Sequence, residues 1–158
     1  MEIIYHPIGV AHTPFKSLQE MSGKPKQERV ASGSVEVFPE FSEGLNDLAG
    51  FSHIYLLFHL HQIQQHFLVV IPSLDDMPRG VFSTRAPCRP NPIALSLVKL
   101  VQIENNFLYV EGLDVLEGTP LLDIKPYIPE FEEGAEIRTG WLEKAKGKIH
   151  SQKSDSPE

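Results

Sequence analysis

A chain of 158 residues is long enough for one domain with a sizeable core. Apolar residues make up 41% and charged residues 22%, the balance of a soluble globular protein, and a formal charge of -7 argues against wholesale coating of nucleic acid while leaving room for a local basic site. A single cysteine, Cys88, allows no internal disulfide and suits a reducing compartment. The start MEIIYHPIGV lacks the pattern of a secretory leader and no apolar run reaches membrane-spanning length, so a cytoplasmic protein with no membrane contact is expected.

Thirteen prolines and eleven glycines cut the chain into short segments. Ile8 and Val10 alternate with Gly9 and Ala11, which predicts a strand. Residues 14–28, with Gly23, Pro25 and three lysines, predict a long polar loop. Alternation around Val35 and Val37 predicts a strand over residues 30–38. Phe41, Leu45 and Leu48 share helical spacing, and Gly50 suits the end of a short helix. The stretch FSHIYLLFHLHQ, residues 51–62, reads as a buried strand, and residues 67–71 as another, stopped by Pro72. Loop signals fill residues 72–92. Residues 93–103 and 107–110 are strand-like and joined by the turn formers Asn105 and Asn106. Glycine and proline break residues 111–134 too often for a long helix, and residues 144–158 read as a flexible polar C-terminal tail. The expected fold is mainly β: a compact single-domain β-barrel with short helices and long loops over residues 1–143. Too few helices are present to cover both faces of a parallel sheet, which argues against a doubly wound nucleotide fold.

Four stretches carry candidate chemistry. GVFSTRAPCRPNPIALS, residues 80–96, lies in a span from Met77 to Ile103 without a single Asp or Glu. Its prolines disfavour helix before each X-Pro step, so Arg85 and Arg89 sit on a stiff, extended mount. An arginine so placed presents its fork to a carboxylate or phosphate at low ordering cost. The plainer alternative is a rigid loop whose arginines pair with acids elsewhere. In LLDIKPY, Asp123, Lys125 and Tyr127 alternate onto one face, as a binding surface or as the solvated face of an edge strand. His59 and His61 also share a face, more simply in a hydrogen-bonded pocket or the core than at a metal, since no third ligand is near; no metal is expected. GKPKQER, residues 23–29, is a basic loop suited to closing over an anion, or merely solvated. Glycine-rich phosphate loops and a GxSxG elbow are missing from the sequence. Cys88 has no placeable base and reads first as a packing residue.

Taken in order, SGKPKQ, SHIYLLFHLHQ, GVFSTRAPCRPNPIALS and GTPLLDIKPYIP resemble the TrmO family of tRNA methyltransferases, over roughly residues 8–140. Two departures stand out: Glu117 replaces the family's Asp before GTP, and Ala94 replaces the glycine that often follows RPNPI. The chain is similar to a short form without the extra C-terminal domain of longer members. The resemblance implies a β-barrel that binds S-adenosylmethionine (SAM) near a homodimer interface and methylates N6 of threonylcarbamoyladenosine at tRNA position 37. By motif it implies cofactor contacts from Pro25, Lys26 and Gln27, from His61 and Gln62, from Arg85 and Leu95, and from Leu122, Asp123, Ile124 and Lys125. Lys26 or Arg85 suits the SAM carboxylate, Asp123 its amino group or ribose, and the backbone at Leu95 and Leu122 the adenine edge. Asp123 is also the nominee to accept from the N6 amine, with Tyr127 orienting the base, and Arg89 is expected to brace its loop or meet RNA phosphate. The competing expectation is a barrel that binds SAM, another nucleotide or RNA without catalysis.

Overall fold

Six strands close into an antiparallel barrel in the computed structural model, which describes residues 1–22, 31–132, 134 and 137–145. In chain order the elements are β1 (Gly9–His12), α1 (Leu18–Ser22), β2 (Ala31–Val37), β3 (His53–His59), β4 (Val69–Val70), β5 (Arg79–Gly80), β6 (Ile93–Glu104), β7 (Phe107–Leu113), β8 (Pro120–Pro126) and α2 (Pro129–Glu132). Around the barrel the order is β1-β2-β7-β6-β3-β8, and β8 returns to β1 through Gly9↔Leu121 and Val10↔Pro120. Strands β4 and β5 form a separate two-stranded ribbon. The basic loop at residues 23–29, with Pro25, Lys26 and Gln27, lies outside the described residues, as does the expected tail from residue 146 onward.

Period-two alternation places the core. In β3 the even positions Ile54, Leu56 and Phe58 are fully buried, and they meet Val98 and Leu100 of β6, Leu108 and Val110 of β7, and Val35 and Val37 of β2 inside the barrel. Burying a side chain such as Phe58 is worth about 1.5–3 kcal/mol relative to exposure. The β6–β7 hairpin turns at Asn105 and Asn106 as the sequence predicts, with Asn105 at φ 54°, a conformation asparagine tolerates better than most residues. At the β1–β2 seam the backbones approach so closely that a Cβ on Gly33 would lie 2.5 Å from the His12 carbonyl oxygen. The buried phase of β1 is accordingly Gly9 and Ala11, the small residues.

Three local expectations differ from the structure. Phe41, Leu45 and Leu48 lie on two 3-10 turns, Pro39–Leu45 and Leu48–Gly50, because Asp47 takes a left-handed φ of 64° between them and breaks the α-spacing. The strand expected over residues 67–71 shrinks to Val69–Val70: its only sheet partner is β5, and Leu68, Val69 and Ile71 stay exposed. The polar loop after Pro14 contains the short α1. No described helix is long and apolar enough to cross a membrane.

Candidate functional site

The turn after β3, the proline segment, the start of β6 and the loop at residues 114–119 enclose a cleft of about 640 Å³, closed on a further side by α1. That volume falls within the range of about 300–1,000 Å³ usual for small-molecule sites. Leu60, Ile63, Val115, Leu116 and Met21 give it an apolar wall, and Arg85, His61, Gln62, Ser96 and Asp114 supply polar groups.

The three arginines of the acid-free segment have separate fates. Arg79 forks onto the Asp75 carboxylate, with Nε at 2.9 Å, and holds that carboxyl below its ordinary range. Arg89 turns inward: its Nη1 donates to the carbonyls of Thr84 at 2.9 Å, Val81 at 3.1 Å and Ala86 at 3.5 Å. These contacts fix a stretch whose prolines remove backbone donors and whose Thr84 hydroxyl also bonds the Val81 carbonyl. Of the two roles expected for Arg89, the structure displays the brace, made through Nη1. Arg85 lines the cleft and makes no hydrogen bond or ion pair among the described residues. Cys88 is buried beneath the segment, and burial pushes its thiol up, which agrees with packing and not with a nucleophile.

Asp114 is the acid the sequence did not single out. It follows β7, faces the cleft, and accepts a 2.6 Å hydrogen bond from the Ser96 hydroxyl. Ser96 is buried at 3% exposure and occupies an inward position of β6 that the alternation of Val98 and Leu100 would give to an apolar side chain. A lone polar residue in an inward phase, and an acid just past a strand end, are the two signals that mark this pair in the sequence.

Of the cofactor positions drawn from the motifs, His61, Gln62, Arg85 and Leu95 line the cleft together. The other set does not. Asp123 and Lys125 point outward from β8, opposite Leu57 and Tyr55 of β3, and form a 2.8 Å ion pair with each other. Leu122 is the extra residue of a bulge between Asp123 and Leu121, and Ile124 turns partly into the core. Tyr127 packs edge-on to Tyr55 at 5.8 Å. The shared face predicted for Asp123, Lys125 and Tyr127 therefore exists, on the barrel exterior. Because Leu57 pairs with both Leu95 and Asp123, two strand spacings, about 10 Å, separate the latter two. On that exterior Leu95, Leu97 and Val101 are exposed apolar residues. Ala94 lines the cleft and packs partly against the core, so its methyl sits where a glycine would leave room. His59 ends β3 exposed, and no group of three potential metal ligands gathers among the described residues.

A second groove, of about 530 Å³, lies at the β1–β2 seam. His12 stands there between two carboxylates, with Nδ1 2.9 Å from Glu117 and Nε2 3.2 Å from Glu36. The hydrogen bond with Glu117 is the main cause that raises the His12 pKa, and burial works against it. Burial pushes the Glu117 carboxyl up, but His12 and the Thr13 amide at 2.6 Å outweigh it and hold the group below its ordinary range.

Residues 10–133 match the model of the tRNA-methyltransferase O N-terminal domain. The chain is 48% identical over 153 residues to a probable S-adenosyl-L-methionine-binding protein of Pyrococcus abyssi, covering 97% of this chain and 83% of that protein. It is 36% identical over 140 residues to the human tRNA (adenine(37)-N6)-methyltransferase, covering 82% of this chain and 31% of that protein. The crystal structure of TrmO from Pseudomonas aeruginosa superposes with a TM-score of 0.71 at 35% identity, over 89% of this chain and 63% of that one. The chain thus spans less than two thirds of the solved TrmO structure and about a third of the human enzyme; it belongs to the TrmO family.

Proposed function

We propose that this chain is a SAM-dependent tRNA methyltransferase that modifies N6 of threonylcarbamoyladenosine at position 37, acting as a homodimer in the cytoplasm. One observation carries the reading: the Arg85 guanidinium, without a hydrogen bond or ion pair among the described residues, shares an apolar cleft with the positioned carboxylate Asp114. SAM presents a carboxylate next to an apolar adenine, and this cleft offers a guanidinium to the one and an apolar wall to the other, with Asp114 left for the substrate. Bound there, SAM supplies an electrophilic methyl group on a sulfonium. Arg85 holds the carboxylate and the aliphatic wall excludes water. Asp114, kept in place by Ser96, accepts the N6–H as positive charge develops on nitrogen, and so takes the role the sequence gave to Asp123. Positioning of the two reactants supplies most of the rate.

The outer face of β6, β3 and β8 is the proposed dimer surface. Leu95 belongs both to the cleft and to that exposed face, so a second chain docked on Leu95, Leu97 and Val101 would wall the cleft and cover Asp123 and Lys125 beside it. In this arrangement Leu122, Asp123, Ile124, Lys125 and Tyr127 contribute at the interface.

The names of the archaeal relatives favour a second reading, a SAM-binding barrel without transfer. Calorimetry with SAM on chelator-treated protein, followed by mass spectrometry of nucleosides from tRNA incubated with protein and SAM, separates the two. The expected result is SAM binding and a methylated threonylcarbamoyladenosine. Asp114→Asn should lower kcat by about 10²–10⁴-fold with SAM binding retained, whereas Asp123→Asn should leave kcat within a few-fold. Binding without transfer would establish the second reading, and no SAM binding would end both.

A further inference from the structure

Phe82 is an apolar ring held out in solvent, at 75% exposure, on the 3-10 turn Val81–Ser83 just before Arg85. Its mount is rigid. The Ser83 hydroxyl bonds the Gly80 carbonyl, the Thr84 hydroxyl and amide both bond the Val81 carbonyl, and the Val81 amide bonds the Leu68 carbonyl. The guanidinium of Arg89 lies over the Phe82 ring at 5.8 Å, and that same Arg89 lines the cleft. On the other side of the turn, Trp141 donates its indole N–H to the Ser83 carbonyl and lies under the Arg79 guanidinium at 5.4 Å. Two aromatic rings, each beside an arginine, thus meet at the turn that leads into the cleft residues Thr84 and Arg85, on a segment without an acid from Met77 to Ile103.

From this juxtaposition we propose that Phe82 is a stacking platform for an unpaired nucleobase of the RNA substrate, next to the base that enters the cleft. The inference rests on the functional reading above and extends it to a residue that contacts substrate outside the cleft. A ring held rigidly in solvent offers a flat apolar face to stack on, and the Arg89 guanidinium beside it, bonded only to neutral carbonyls, keeps its charge and favours an anionic cover. Single-stranded RNA matches both demands: each base has an apolar face and each linkage a negative charge. Duplex RNA keeps its bases stacked and offers no such face. In a chain of net charge -7, this patch confines the attraction for RNA to one rim.

The test is fluorescence anisotropy with a labelled RNA anticodon stem-loop and with a duplex of the same stem, on wild type, Phe82→Ala and Phe82→Trp. Phe82→Ala should weaken stem-loop binding by about five- to one-hundred-fold, leave duplex binding and SAM calorimetry unchanged, and keep the salt slope of binding. Phe82→Trp should match or exceed wild type. Equal stem-loop affinity of wild type and Phe82→Ala overturns the proposal, as does an equal loss for the duplex. So does a Phe82→Ala protein that changes from dimer to monomer in sedimentation, because the ring would then be covered by a second copy. If wild type binds the stem-loop through Phe82 but transfers no methyl group, the enzymatic reading fails and the platform stands. If it transfers methyl with Phe82→Ala binding normally, only the platform falls.

Discussion

The cleft and the β1–β2 groove are similar in volume, and both hold acids and bases, yet they spend them in opposite ways. In the groove His12 is bound on both ring nitrogens, Glu117 takes a histidine and a backbone amide, and Lys99 pairs with Glu111. In the cleft Arg85 makes no polar contact among the described residues, and Asp114 is held by one hydroxyl. The loop at residues 114–119 serves both, with Asp114 turned into the cleft and Glu117 into the groove. Mutually satisfied groups lower the energy of the fold; unspent ones cost stability and are kept where a ligand completes them. The groove is therefore read as a clasp on the barrel seam and the cleft as the site.

The largest effect expected from this contrast is on the clasp. Gly33→Ala places a methyl against the His12 carbonyl, which cannot yield because it belongs to the β1–β2 ladder, although the Leu113 side chain at 2.9 Å can. A loss of about 1–3 kcal/mol, at the upper end of that range, should appear in urea unfolding. The fraction that remains folded should bind SAM as wild type does. A stable Gly33→Ala protein with weakened SAM binding would reverse the assignment of the two regions.

Next in size is the difference between two arginines of one segment. Arg85→Ala should cost SAM affinity about 1.5–3 kcal/mol, roughly ten- to one-hundred-fold, and leave thermal stability near wild type, because no hydrogen bond or ion pair among the described residues is lost. Arg89→Ala should do the reverse and lower Tm, because the Thr84 and Ala86 carbonyls lose the Arg89 donor and Val81 loses one of three. Calorimetry with SAM and thermal unfolding of both variants decide it. Equal losses of SAM affinity would mean that the segment acts only as one scaffold.

Much of this was legible in the sequence. Alternation marked β2, aromatic and branched composition marked β3, and the turn formers Asn105 and Asn106 marked the hairpin of β6 and β7. The proline spacing marked the mount of Arg85. What stayed hidden depends on three-dimensional proximity. Local pattern marks Ser96 and Asp114 only singly, not that they meet across 18 residues, and it does not tell that Arg89 folds back on its own loop while Arg85 does not. The alternation of Asp123, Lys125 and Tyr127 was visible, but the direction of that face was not, since a bulge at Leu122 fixes which residues turn outward. Phe67 to Ile71 has strand composition but finds only a two-residue partner, a pairing that no propensity encodes.

The smallest effect concerns the clasp as a function of pH. His12 has a raised pKa in the folded state, mainly through Glu117, so its contribution to stability is fully present below its unfolded value, about 6.5, and is lost as pH rises through the higher folded value. Glu117 has a lowered pKa, so its contribution is present above the unfolded carboxylate value, about 4.5, and is lost as pH falls through the folded one. The two overlap between about pH 4.5 and 6.5. His12 is 38% and Glu117 41% exposed, so solvent screens the pair and the gain is below about 1 kcal/mol. Thermal unfolding from pH 4 to 9 should show wild type more stable than His12→Ala by about 1–3 °C within that window, with the gap narrowing toward both ends and shrinking in high salt. A gap that grows with rising pH would mean that neutral His12 is the stabilising form, and the seam would then be held by packing on Phe107, 6.4 Å away, with its carboxylates as spectators.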